Sequence, residues 1–112
     1  MHERLRENVA AVVALLVEKN FERLVSLGRG IRLSSEEIAR AVADYGRILI
    51  EPPTEAYELM QVVPVEGSKP RKWSVTMPLW TQEEGRSDLS VSLTLIESPE
   101  GLRVELDDLH VL

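Results

Sequence analysis

The sequence predicts an α+β fold: N-terminal helices packed on one face of a curled, mostly antiparallel sheet of about four strands. Three observations predict it. Leu5, Val9, Val12 and Leu16 recur at helical spacing. A capping sequence, Ser34-Ser35-Glu36-Glu37, opens a further helix. Apolar and polar residues then alternate with a period of two through residues 73–81, 89–97 and 102–106.

The first helix is expected over residues 3–19. Val13 and Val17 extend its apolar stripe, and Ala10, Ala11 and Ala14 leave the other side small. Its middle is apolar nearly all round, which predicts cover on more than one side, from the curling sheet or from a second subunit. Asn20 tolerates the left-handed conformation that ends helices. A short second helix follows over residues 21–27, broken by Gly28-Arg29-Gly30. Ser34 as N-cap has Glu37 three residues on, and Leu33 and Ile38 are placed to form a hydrophobic staple around it. That third helix runs to Tyr45, and Gly46 stops it.

Residues 47–51 read as a short extended piece before Pro52-Pro53. Residues 54–58 suit one helical turn. Residues 59–65 suit a strand that Pro64 confines to an edge or a strand end, and residues 67–72 form a polar loop. The meander comes next, with turns expected at residues 82–88 and 98–101. Pro78 cannot donate to a ladder, so it needs an unpaired side or a bulge. In the last strand the phase slips. Leu102, Val104 and Leu106 are even, whereas Leu109 and Val111 are odd. One extra residue at Asp107-Asp108, a β-bulge, returns both sets to one face. Burial of the strand end on both faces would account for the slip without a bulge.

The length, 112 residues, suits a single domain with one core. The five aromatic residues leave that core to Leu, Val and Ile. Net charge is −6, and it is uneven. Residues 1–56 carry 8 basic and 9 acidic side chains, and residues 57–112 carry 5 and 10. The strand half is thus the acidic half. Its field repels nucleic-acid phosphate and favours a basic protein partner, although such a charge also simply keeps a small domain soluble. There is no cysteine, which removes disulfides and thiolate chemistry and suits a cytoplasmic setting. The run Val9 to Val17 is too short to span a bilayer. Glu3 and Glu7 in its basic flank, with Glu18-Lys19-Asn20 after it, do not suit a secretory signal.

Two constellations are candidates for chemistry or binding. Asp108 and His110 are two apart, so on a regular strand they share a face and could serve as a general-base pair or supply two ligands to a metal. With Asp107 they could equally be residues that blunt a strand end. The second is the loop holding Trp80, Glu83, Glu84, Arg86 and Asp88, which with Asp107 forms the candidate partner-binding set. Trp80 is out of phase with the apolar odd positions of its strand and could stack with Arg86, as interface anchors do. Alternatively Arg86 pairs locally with Asp88 or Glu84, and Trp80 covers a small second core. No phosphate-binding glycine loop, nucleophile elbow or paired-cysteine zinc pattern is present, so no cofactor and no metal are expected.

The runs Trp73-Ser74-Val75, Pro78-Leu79-Trp80-Thr81, Glu84-Gly85-Arg86-Ser87-Asp88-Leu89 and Val104-Glu105-Leu106-Asp107-Asp108-Leu109-His110-Val111-Leu112 resemble a family of small bacterial proteins classed as a domain of unknown function. That resemblance implies no activity. The opening Leu16-Val17-Glu18-Lys19-Asn20-Phe21-Glu22 is similar to the start of NTF2-like proteins. It implies a trimmed NTF2-like or cystatin-like roll, without the hairpin that NTF2-like proteins carry between their second and third helices. The leading expectation is a non-enzymatic binding module for a protein partner, of the immunity or antitoxin type. The alternative is an NTF2-like pocket that binds or isomerises a small apolar molecule, with His110 and Asp108 as acid–base groups and Tyr45, Tyr57 and His110 as the candidate polar groups inside it. A homodimer is compatible with either.

Overall fold

The computed structural model describes residues 2–27 and 33–111, apart from the side chain of His2. The expected break at residues 28–30, and Leu112 at the end of the last strand, lie outside the described residues. Three helices come first: α1 (His2–Val17), α2 (Phe21–Leu27) and α3 (Ser35–Tyr45). They pack on one face of an open, wholly antiparallel five-stranded sheet. Its strands are β1 (Leu49–Ile50), β2 (Gln61–Val65), β3 (Lys72–Thr81), β4 (Gly85–Ser98) and β5 (Gly101–Val111).

Leu5, Val9, Val12, Val13 and Leu16 of α1 are buried. They meet Trp73, Val75 and Met77 of β3, Leu89, Val91, Leu93 and Leu95 of β4, and Val104, Leu106 and Leu109 of β5 in one apolar cluster. The alternation therefore places its apolar set inward on all three long strands. Within the single chain α1 is not covered all round. Ala11 is exposed and Leu15 half-buried, so the helix shows water the small-residue side.

The helix stop also differs by one residue. Lys19, not Asn20, takes the left-handed conformation, with φ of 61°. The Lys19 N–H donates to the Leu16 carbonyl and the Asn20 N–H to the Leu15 carbonyl, the paired bonds of a Schellman cap. The capping box of α3 forms as read. Glu37 N–H donates to Ser34 Oγ at 3.1 Å, and Ser34 N–H donates to Glu37 Oε1 at 3.0 Å. Gly46 closes that helix at φ of 73°, a conformation costly for any residue with a Cβ.

A 3-10 helix, Thr54–Leu59, links β1 to β2 and takes Leu59 out of the expected strand. β1 and β2 share one edge of β3: β1 pairs with Thr81 and Trp80, and β2 pairs with residues 72–76. Pro78 sits in the gap between them, where no strand asks its missing N–H for a bond. The turn after β3 is shorter than expected. Only residues 82–84 lie outside the strands, and Gly85, with φ of 73°, already pairs with Thr81. A three-residue hairpin loop with glycine in the left-handed position gives this geometry.

Two irregularities re-aim the sheet. Between the pairs Pro78–Ser90 and Trp80–Arg86, β3 has one residue and β4 has three. Ser87 fills the break: its buried hydroxyl donates to the Leu79 carbonyl at 2.8 Å and accepts the Leu89 N–H at 3.2 Å. In the second, Ser92 faces Asp108 while Leu93 faces Leu106, so Asp107 is the extra residue of a bulge. Leu109 is thereby returned to the core face, as the slipped phase required.

Candidate functional site

The face of the sheet turned away from the helices is laid out by the strand register. Because side chains alternate and the odd set is inward, the partners of each even residue on β3 and β4 face outward with it. Thr76 lies between Gln61 and Ser92, and Ser92 faces Asp108. Ser74 lies between Val63 and Thr94, and Thr94 faces Glu105. Lys72, Ile96 and Arg103 form the next row, and Pro78, Ser90 and His110 the row on the other side. Trp80, between Ile50 and Arg86, closes one end. The surface thus has a hydroxyl centre, an acidic rim of Glu105, Asp107 and Asp108 along β5, and an apolar strip of Val63 and Val65 along β2. Val63 is 59% exposed.

The bulge puts Asp107 on this face too. Thr94 Oγ1 donates to its Oδ2 at 2.6 Å. Asp108 Oδ2 lies 3.4 Å from His110 Nδ1, so the pair expected from the i, i+2 spacing is brought together. Ser90 stands opposite His110 on the neighbouring strand. Sequence reasoning missed Ser90, because its partner is twenty residues away and nothing local marks it. Asp, His and Ser on adjacent strands are the residue types of a nucleophilic triad. The geometry is not that of one. Ser90 is 1% exposed, and its Oγ has no hydrogen-bond partner among the described residues, His110 included. A nucleophile needs both a base within reach and access for its substrate.

The turn residues divide differently. Glu83 Oε1 accepts the Ile48 N–H at 3.0 Å, and the Gln82 N–H donates to the Ile48 carbonyl at 2.8 Å. Glu84 is held from two sides. Its carboxylate accepts from Tyr45 and from Thr81 Oγ1, while its own N–H donates to Thr81 Oγ1. Both carboxylates therefore shape the turn, Glu84 fastening it to the end of α3 and Glu83 to the segment that follows. Trp80 is half-buried against the edge of the core. It faces Arg86 in the register, yet among the described residues Arg86 makes neither a ring contact nor an ion pair. Arg86 and Asp88 are exposed.

Among the described residues, His110 lines none of the four best-formed clefts. One, of about 270 Å³, runs between α3 and β5 with Leu33, Ala41 and Leu109 as its floor and Glu37, Asp44, Asp108 and Arg40 at its rim. Of the two tyrosines expected as polar pocket groups, Tyr45 is tied to the β3–β4 turn and Tyr57 lies in a separate cleft beside α1. Among the described residues no group of three or more His, Asp or Glu side chains is placed to hold a metal ion. No helix among them is long and apolar enough to cross a membrane.

No curated protein and no solved structure matches the chain. A family profile described as "Domain of unknown function (DUF7668)" matches residues 13–112, which takes in α2, α3, every strand and the last five residues of α1. The chain belongs to that family.

Proposed function

We propose that this domain is a non-enzymatic module that holds a basic protein partner on the uncovered face of its sheet. The observation that carries the reading is the layout of that face. Helices cover the other side, and Glu105, Asp107 and Asp108 line up along β5 beside the exposed Ser74, the half-buried Thr76, Ser92 and Thr94, and an exposed valine strip. The net charge of −6, with the excess in the strand half, adds a field that draws cationic surfaces in.

Docking uses the face rather than the free edge of β2. Pro64 pairs with Trp73 and has no N–H, so this pair is of the non-hydrogen-bonded kind. Its backbone then points to the free edge, which lacks a donor where an added strand would need one. Glu83 and Glu84 serve the turn, so the contact set is Trp80, Arg86, Asp107 and Asp108, with Asp88 at its margin. In its most concrete form the partner is a basic effector and the domain its immunity- or antitoxin-type inhibitor, working in the cytoplasm, where a chain without cysteine is at home.

A photo-crosslinking residue in place of Thr76, on the face, tests the reading against one in place of Glu22, on α2. Extract of the native host should yield a basic protein joined at position 76 alone, and Asp108→Lys should cut the yield at least about tenfold. A crosslink to a second copy of the chain would assign the face to a homodimer instead. Equal labelling at both positions would overturn the reading.

A further inference from the structure

α1 and the 3-10 helix leave a cleft of about 260 Å³ between them, lined by Glu3, Arg6, Tyr57, Glu58 and Met60. Among the described residues none of its three charged side chains forms an ion pair, and Arg6 alone is held in place. Arg6 Nη2 donates to the Thr54 carbonyl at 3.1 Å, and its guanidinium lies over the Tyr57 ring, 5.9 Å from the centroid. Five N–H groups belong to a guanidinium, and among the described residues only one is taken. Among the described residues neither Glu3 nor Glu58 forms an ion pair, with Arg6 or with any other residue. The Tyr57 hydroxyl has no hydrogen-bond partner among them either. Burial holds this phenol above its usual range, so the ring wall of the cleft is partly dry.

A cation backed by an aromatic ring, two carboxylates at the rim and a thioether wall call for a ligand with both charges and a small apolar body. We propose that the cleft binds a zwitterion of the α-amino acid class with an apolar side chain, its carboxylate on Arg6, its ammonium against Glu3 and Glu58, and its side chain on Tyr57 and Met60. The volume lies just under the roughly 300–1,000 Å³ of sites for drug-sized molecules, which suits an occupant of this size. Guanidinium and carboxylate form two parallel bonds, so the carboxylate end gives most of the selectivity. Glu3 and Arg6 precede residues 13–112, so this site rests on a segment outside the matched family region.

Titration of the full chain with L-leucine, its methyl ester and N-acetyl-L-leucine, followed by amide NMR, tests this. L-leucine should shift the resonances of Arg6, Tyr57 and Met60, and each blocked form should bind at least about tenfold more weakly. Arg6→Lys keeps the charge but loses the fork, and should weaken L-leucine by a similar factor. Glu58→Gln changes an exposed side chain with no internal bond, so the fold persists, and binding should fall a few-fold. Absence of shifts with L-leucine, equal binding of the ester or the acetyl form, or full affinity in both variants would overturn the proposal.

Discussion

The hydroxyl of Tyr45 stands 2.9 and 3.1 Å from the two carboxylate oxygens of Glu84. It also accepts the Asp88 N–H at 3.3 Å. One phenol at the end of α3 thus fastens a helix to the hairpin between β3 and β4, thirty-nine residues on. Glu84 is in turn held by Thr81, so the turn has one shape. Tyr45→Phe should cost about 1 kcal/mol, the net value of one such bond where water can still reach the freed carboxylate. Urea unfolding monitored by Trp fluorescence measures it. A neutral result would mean that the turn holds its shape without the helix.

Ser34→Ala should cost about 1 kcal/mol, because the N-cap oxygen meets a helix N–H that has no other partner. A pH signature accompanies it. Bonds from Ser34, by backbone and by side chain, hold the Glu37 carboxyl below its usual 4.5, with Arg40 a smaller influence. A depressed carboxyl contributes stability that is present above the unfolded value and is lost as pH falls through the folded one. The parent protein should therefore lose this contribution below about pH 4.5, and the Ser34→Ala variant should show a shallower acid limb. Thermal melts between about pH 3 and 6, with an NMR titration of the Glu37 carboxyl, would show both effects.

Much of the architecture is legible because it follows from local chemistry. The capping box needs only Ser34 and Glu37, and the bulge follows from the phase slip between Leu106 and Leu109, since one face had to stay apolar. The misread places are those where a distant partner decides. β4 begins at Gly85, although residues 85–88 show no alternation of apolar residues. Ser87 is buried there by hydrogen bonds to Leu79 and Leu89 rather than by hydrophobicity. The pairing of Asp108 with His110 follows from an i, i+2 count. The tasks of Glu83 and Glu84 do not, since they depend on where Ile48 and Tyr45 come to rest. Ser90 became notable only through the register of β4 on β5.

The bulge itself makes a sharp comparison. Leu109 and Val111 share a phase, but Leu109 is buried and Val111 is 61% exposed. Leu109→Ala should cost about 2–3 kcal/mol through lost burial and the cavity it leaves. Val111→Ala should stay within about 0.5 kcal/mol. Deletion of Asp107 should cost less than Leu109→Ala. It removes the bond from Thr94 but leaves Leu106, Asp108 and Leu109 in plain alternation, so Leu109 stays on the core face and His110 on the outer one. Equilibrium denaturation of the three variants gives the order. A deletion that costs more than Leu109→Ala would show that the bulge does more than restore the apolar phase.

Two buried serines on β4 should respond in opposite directions to the same change. The Ser87 hydroxyl satisfies a carbonyl and an N–H where the ladder is broken. Ser87→Ala leaves both without it and should cost about 1–3 kcal/mol. Ser90 is just as deeply buried, but its hydroxyl has no partner among the described residues. A lone buried hydroxyl bears a desolvation penalty that no bond repays. Ser90→Ala should therefore be neutral or stabilise by up to about 1 kcal/mol. Paired urea titrations settle the contrast. A loss of about 1 kcal/mol or more from Ser90→Ala would reveal a bond to its hydroxyl, with the imidazole of His110 across the strand as the nearest candidate.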